Sequence, residues 1–104
     1  MNSTTYTYKE IQQKITPIFS NTGVTQAILF GSYAKGTATE DSDIDLAVAV
    51  EDWVDIFDFS AISVDVSDAL GKKVDFILAG DILPGGKADV EIKATGRLIY
   101  EKVG

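Results

Sequence analysis

The sequence predicts an α/β (α+β) fold in which a small mixed β-sheet carries helices packed on one face. Three observations lead there. Apolar residues recur with helical period in two segments, near 8–20 and 52–70. Short runs rich in β-branched and aromatic residues, within 24–30, 43–50 and 73–78, read as strands between them. The chain has 104 residues, 45% of them hydrophobic, which is enough for one core, so residues 1–104 are read as a single domain.

Each element has a local cause. Thr7-Tyr8-Lys9-Glu10 has the spacing of a capping box, and Ile11, Ile15, Ile18 and Phe19 then fall on one helical face. Pro17 removes a backbone donor and is expected to kink that helix or end it early. Asn21-Thr22-Gly23 stops it, and Val24 with Ala27-Ile28-Leu29-Phe30 makes a buried strand that Gly31 ends. After a polar, glycine-punctuated stretch from Ser32 to Ser42, the second strand alternates. Ile44, Leu46, Val48 and Val50 point one way, while Asp43, Asp45, Ala47 and Ala49 point the other.

Glu51-Asp52 place negative charge in the expected first turn of the second helix, and Gly71 closes it. Ile56, Phe59, Ile62, Val66, Ala69 and Leu70 supply its apolar face, and Trp53 and Phe57 near its start are expected in the core. Asp55, Asp58, Asp65 and Asp68 lie on its solvated side. The third strand, Lys73 to Leu78, sets Lys73, Asp75 and Ile77 against Val74, Phe76 and Leu78. Pro84-Gly85-Gly86 is a loop, residues 87–95 form a short helix ended by Gly96, and Leu98-Ile99-Tyr100 forms a last strand.

Composition narrows the chemistry. The chain has no Cys and no His. That excludes a disulfide framework, a thiolate or imidazole metal site, and a Ser-His triad. Carboxylates and hard cations bound through oxygen remain, Mg²⁺ above all. A net charge of −7 argues against direct nucleic-acid binding, which is built from Lys and Arg on phosphates. No apolar run is long enough to span a membrane, and the start Met1-Asn2-Ser3-Thr4-Thr5 lacks the order of a signal peptide, so a cytoplasmic location is expected. A chain this short has no room for a second substrate domain, so an acceptor must dock from outside.

Two aspartates on one strand face, Asp43 and Asp45, cost desolvation and repel each other unless a cation lies between them. A bare pair of this kind would suit a solvated edge strand. The neighbourhood argues otherwise, because Gly31-Ser32 ends the preceding strand and ten residues separate Ser32 from Asp43. Such a turn offers backbone N–H groups and a hydroxyl to phosphate oxygens, with Lys35 close by. Asp75 supplies a third carboxylate if the strands are neighbours. A P-loop is excluded, since Thr37 and Ala38 follow Gly36 where Lys-Ser/Thr is required. An EF-hand is excluded because Leu46 stands where Gly is needed.

Gly31-Ser32-Tyr33-Ala34-Lys35-Gly36 followed by Ser42-Asp43-Ile44-Asp45-Leu46 resembles the signature of minimal nucleotidyltransferases of the DNA polymerase β-like superfamily. The resemblance is strongest to the antitoxin half of HEPN/MNT toxin–antitoxin pairs. It implies a polymerase β-like nucleotidyltransferase fold with Asp43, Asp45 and Asp75 as catalytic and Mg²⁺-binding carboxylates. It implies Gly31, Ser32 and Lys35 as nucleotide-binding residues, ATP as substrate, and transfer of AMP to a tyrosine hydroxyl of a HEPN ribonuclease toxin. The family commonly has Arg where Lys35 stands, and Lys loses the planar fork. The acidic helix side could attract a basic partner. Two other readings stay open: an antitoxin that acts by occlusion alone, and an enzyme modifying a small-molecule hydroxyl.

Overall fold

A computed structural model describes residues 5–103. Residues 1–4, on which the reading against a signal peptide rests, lie outside that range. The elements are α1 (Tyr8–Phe19), β1 (Val24–Phe30), α2 (Ser32–Lys35), β2 (Ile44–Val50), α3 (Ile56–Leu70), β3 (Val74–Leu78), a 3₁₀ turn (Ala79–Asp81), α4 (Lys87–Thr95) and β4 (Arg97–Glu101). The strands form one mixed sheet in the order β3-β2-β1-β4. β1 is antiparallel to both β2 and β4, whereas β2 and β3 are parallel and joined through α3. Parallel neighbours require such a crossover, because a hairpin can join only antiparallel strands.

The capping box of α1 forms as expected: Glu10 N–H donates to Thr7 Oγ1 at 3.1 Å, and Thr7 N–H donates to Glu10 Oε1 at 2.8 Å. Pro17 does not end the helix, which continues to Phe19. Its missing donor falls in the last turn, where little of the ladder remains to be broken. α3 begins at Ile56 rather than at 52, because Asp55 is its N-cap and exchanges hydrogen bonds with Asp58. Glu51 and Asp52 therefore precede the helix. Gly71, at φ +64°, closes it in the left-handed conformation.

Ile11, Ile15 and Phe19 of α1 and Ile62, Val66 and Leu70 of α3 cover one sheet face, meeting the inward residues Leu29, Ile44, Leu46 and Val48. Phe76 of β3 reaches the same layer and packs on Phe19 and Phe59. Trp53 and Phe57 depart from the expectation of a core position. They are 66% and 80% exposed: Trp53 lies in the turn before α3, and Phe57 falls off the helical face that carries Ile62, Val66 and Leu70. The alternation of β2 and β3 sends Asp45, Asp75 and Ile77 to the opposite face, where α4 stands against β1. No helix among the described residues is long and apolar enough to cross a membrane.

Candidate active site

The strand registers assemble the site. Asp45 is opposite Phe30 across the antiparallel β1–β2 pair, so the turn that follows Phe30 comes back beside the acidic end of β2. Across the parallel β2–β3 pair, Asp45 is opposite Asp75. These two pairings place Ser32, Asp43, Asp45 and Asp75 on one cleft of about 430 Å³, with Phe30, Ser42, Ile77, Lys87, Ala88 and Glu91 completing its wall.

Gly31 governs how closely the turn approaches. Its φ of +77° and ψ of −153° belong to a region that only glycine occupies at low cost. A Cβ there would lie 2.5 Å from Asp45 Oδ2. The Gly31 N–H donates to Thr95 Oγ1 at 2.9 Å, and its carbonyl accepts from the amides of Ala34 and Lys35. The turn is thus fastened to α4, and the Gly31 amide is already engaged. Ser32 lines the cleft beside the aspartates.

The Asp45 carboxyl is pushed up from 3.8 to about 6. Burial is the main cause, followed by a hydrogen bond shared with the Asp75 carboxyl and by the negative charges of Asp75, Glu91 and Asp43. Asp43 Oδ2 lies 3.8 Å from Lys73 Nζ. Among the described residues no three carboxylates stand together as a finished cation cage. The donor set nonetheless suits a hard divalent ion. Two carboxyls held together by one proton are a pair whose repulsion a cation can relieve in the proton's place, and all the donors are oxygen.

Of the residues expected at the site, Asp43, Asp45, Asp75 and Ser32 are brought together, and Gly31 underlies them. Lys35 is not. It lies exposed on a separate cavity of about 400 Å³, shared with Tyr6, Tyr8, Tyr33 and Arg97. Ser32 lines the cleft of the aspartates, whereas Lys35, at the last residue of the same short helix, lines the other cavity. Lys87 and Glu91 are cleft residues that sequence reasoning did not single out. Their spacing of one helical turn was visible, but nothing local showed that α4 folds back over β1.

The glycine turn thus faces paired carboxyls on two adjacent strands. Residues 13–103 match the family described as Polymerase beta, Nucleotidyltransferase, and the chain belongs to it. A Methanocaldococcus jannaschii relative, MJ0435, named as a protein adenylyltransferase, is 37% identical over 75 residues, covering 72% of this chain and 81% of its own length. The protein adenylyltransferase MntA of Thermococcus cleftensis is 33% identical over 63 residues, covering 61% and 64%. Among solved structures, a toxin–antitoxin with AMP-PNP superposes with a TM-score of 0.72 at 24% identity, covering 88% of this chain and 73% of that one. A tri-AMPylated Shewanella oneidensis HEPN toxin in complex with its MNT antitoxin gives 0.67 at 20% identity, covering 91% and 73%. These likenesses share the fold of the site's scaffold.

Proposed function

We propose that this chain, acting in the cytoplasm as a single domain of residues 1–104, transfers AMP from ATP to a tyrosine hydroxyl of a HEPN-type ribonuclease toxin and so serves as its antitoxin. The observation that carries the reading is the pairing of Asp45 with Asp75 in the cleft that also holds Ser32. Occlusion of a toxin would not require acids aligned across two strands at the cost of raising the Asp45 pKa. The names of the relatives, which are protein adenylyltransferases, point the same way.

In this mechanism Asp43, Asp45 and Asp75 would hold Mg²⁺, which would supply positive charge against the phosphates. Ser32 Oγ and the first amides of α2 hydrogen-bond the outer phosphate oxygens. Asp75, the most open of the pair, takes the proton of the acceptor hydroxyl. The acceptor oxygen then bonds to the α-phosphorus, the bond from that phosphorus to the bridging oxygen breaks, and pyrophosphate leaves. Phe30 and Ile77 supply the apolar part of the cleft wall.

The test is incubation with base-labelled ATP, Mg²⁺ and a HEPN-type toxin protein. Label is expected on the toxin with the wild-type chain and at least 100-fold less with Asp45→Asn. Equal labelling by the variant refutes the mechanism. Toxin neutralisation that persists undiminished without ATP selects the occlusion reading, and label on a free small hydroxyl compound without the toxin selects the small-molecule reading.

A further inference from the structure

The cleft carries four carboxylates, those of Asp43, Asp45, Asp75 and Glu91, and among the described residues that line it Lys87 is the one cationic side chain. Three observations describe its position. It stands at the first residue of α4, where the helix dipole disfavours a positive charge. It makes none of the ion pairs found among the described residues, although Glu91 is one helical turn along and the aspartates share its cleft. The start of α4 also lacks a side-chain cap: Gly86 supplies none, and the nearby Asp89 carboxylate is taken by the Gly85 N–H at 2.8 Å and by Lys93 Nζ at 3.1 Å. Lys87 is exposed, so its ammonium is free to turn toward a ligand in the cleft that it lines.

The charge balance of the reaction gives the position a purpose. A nucleoside triphosphate and the four carboxylates have the same sign, so cations that offset the acids leave phosphate charge unmatched. Lys35 is not among the residues that line this cleft and lines a separate cavity instead. We infer that Lys87, with the uncapped first turn of α4 behind it, binds the phosphate oxygens of the nucleotide. The inference rests on the nucleotidyltransferase reading of the cleft and adds a residue to it. Gly85 at φ +78° and the Gly85–Asp89 hydrogen bond fix the entry of α4, so the ammonium has a defined base from which to reach.

The experiment is calorimetric titration of AMP-PNP with Mg²⁺ into the full chain, wild type against Lys87→Ala, Lys87→Arg and Lys35→Ala, with circular dichroism to confirm folding of each. Losing one charge-assisted hydrogen bond predicts a Kd raised about tenfold or more in Lys87→Ala. Lys87→Arg, which keeps the charge, is expected within about threefold of wild type. Raising ionic strength should weaken the wild type more than Lys87→Ala, because the lost contact is the screened one. Wild-type affinity in Lys87→Ala, or a loss carried by Lys35→Ala in its place, overturns the assignment while leaving the nucleotidyltransferase reading intact. A wild-type chain that binds no AMP-PNP overturns both.

Discussion

Replacing Asp45 by Asn should stabilise the protein at neutral pH while removing nucleotide transfer. The Asp45 carboxyl titrates near 6 in the folded protein against an ordinary 3.8. Between those values the folded state holds a proton that the unfolded chain has released. Stability from this group is therefore fully present below the unfolded value and is lost as pH rises through about 6. The displacement sets an upper bound of about 3 kcal/mol, at ~1.36 kcal/mol per pH unit. The carboxyl is only half-buried, and solvent screening reduces the figure to about 1 kcal/mol. Asn keeps the shape, carries no charge and can donate to the Asp75 carboxylate. For a chain of 104 residues, roughly 1 kcal/mol corresponds to a Tm change of about 5 °C. The assay is thermal unfolding in EDTA at pH 4 and pH 8. The variant should melt about 5 °C above wild type at pH 8 and within about 1 °C of it at pH 4. An equal gap at both pH values, or a variant less stable at pH 8, would refute the account of a repulsive acid pair. Adding Mg²⁺ at pH 8 should raise the wild-type Tm and leave the variant nearly unchanged.

Three further outcomes follow from the geometry. Gly31→Ala forces a methyl to within 2.5 Å of Asp45 Oδ2 at φ +77°, so urea unfolding should show a loss of about 1–3 kcal/mol, and an unchanged midpoint would contradict the strain. Thr95→Val leaves the Gly31 N–H without its acceptor and should cost about 1–3 kcal/mol by the same measurement; a loss below about 0.5 kcal/mol would mean that the turn is not fastened by α4. Tyr33→Phe removes a buried hydroxyl that has no partner among the described residues and should stabilise the fold by about 1 kcal/mol. Destabilisation of that size would show that the hydroxyl is satisfied.

Elements with a strong local cause are the ones the sequence makes legible. The Thr7–Glu10 box, the glycines at 23, 31 and 71, and the alternation from Ile44 to Val50 each act within a few residues, and each appears in the fold where it is expected. Elements whose limits depend on competition are displaced. Asp55 outcompetes Glu51 and Asp52 as the start of α3, because its carboxylate can reach the Asp58 amide and be answered in return. That shift leaves Trp53 outside the helix, and Phe57 lies off the face of Ile62, Val66 and Leu70, so the apolar character of both, which argued for the core, does not bury them. α2 was hidden because a helix of four residues leaves no periodicity to read.

The site divides along the same line. Residue chemistry and spacing single out Gly31, Ser32, Asp43 and Asp45, because a hydroxyl-bearing turn and an acid pair are local facts of one hairpin. That Asp75 stands opposite Asp45 follows from the parallel register that the α3 crossover sets, and no local signal carries a register between strands so far apart in sequence. The exclusion of Lys35 from the cleft and the entry of Lys87 and Glu91 were decided by the turn of α2 and by the packing of α4 on β1. The sequence thus determined which groups were available for phosphate and cation chemistry. The tertiary structure decided which of them meet, because convergence depends on long-range pairing and packing that only the whole folded chain supplies.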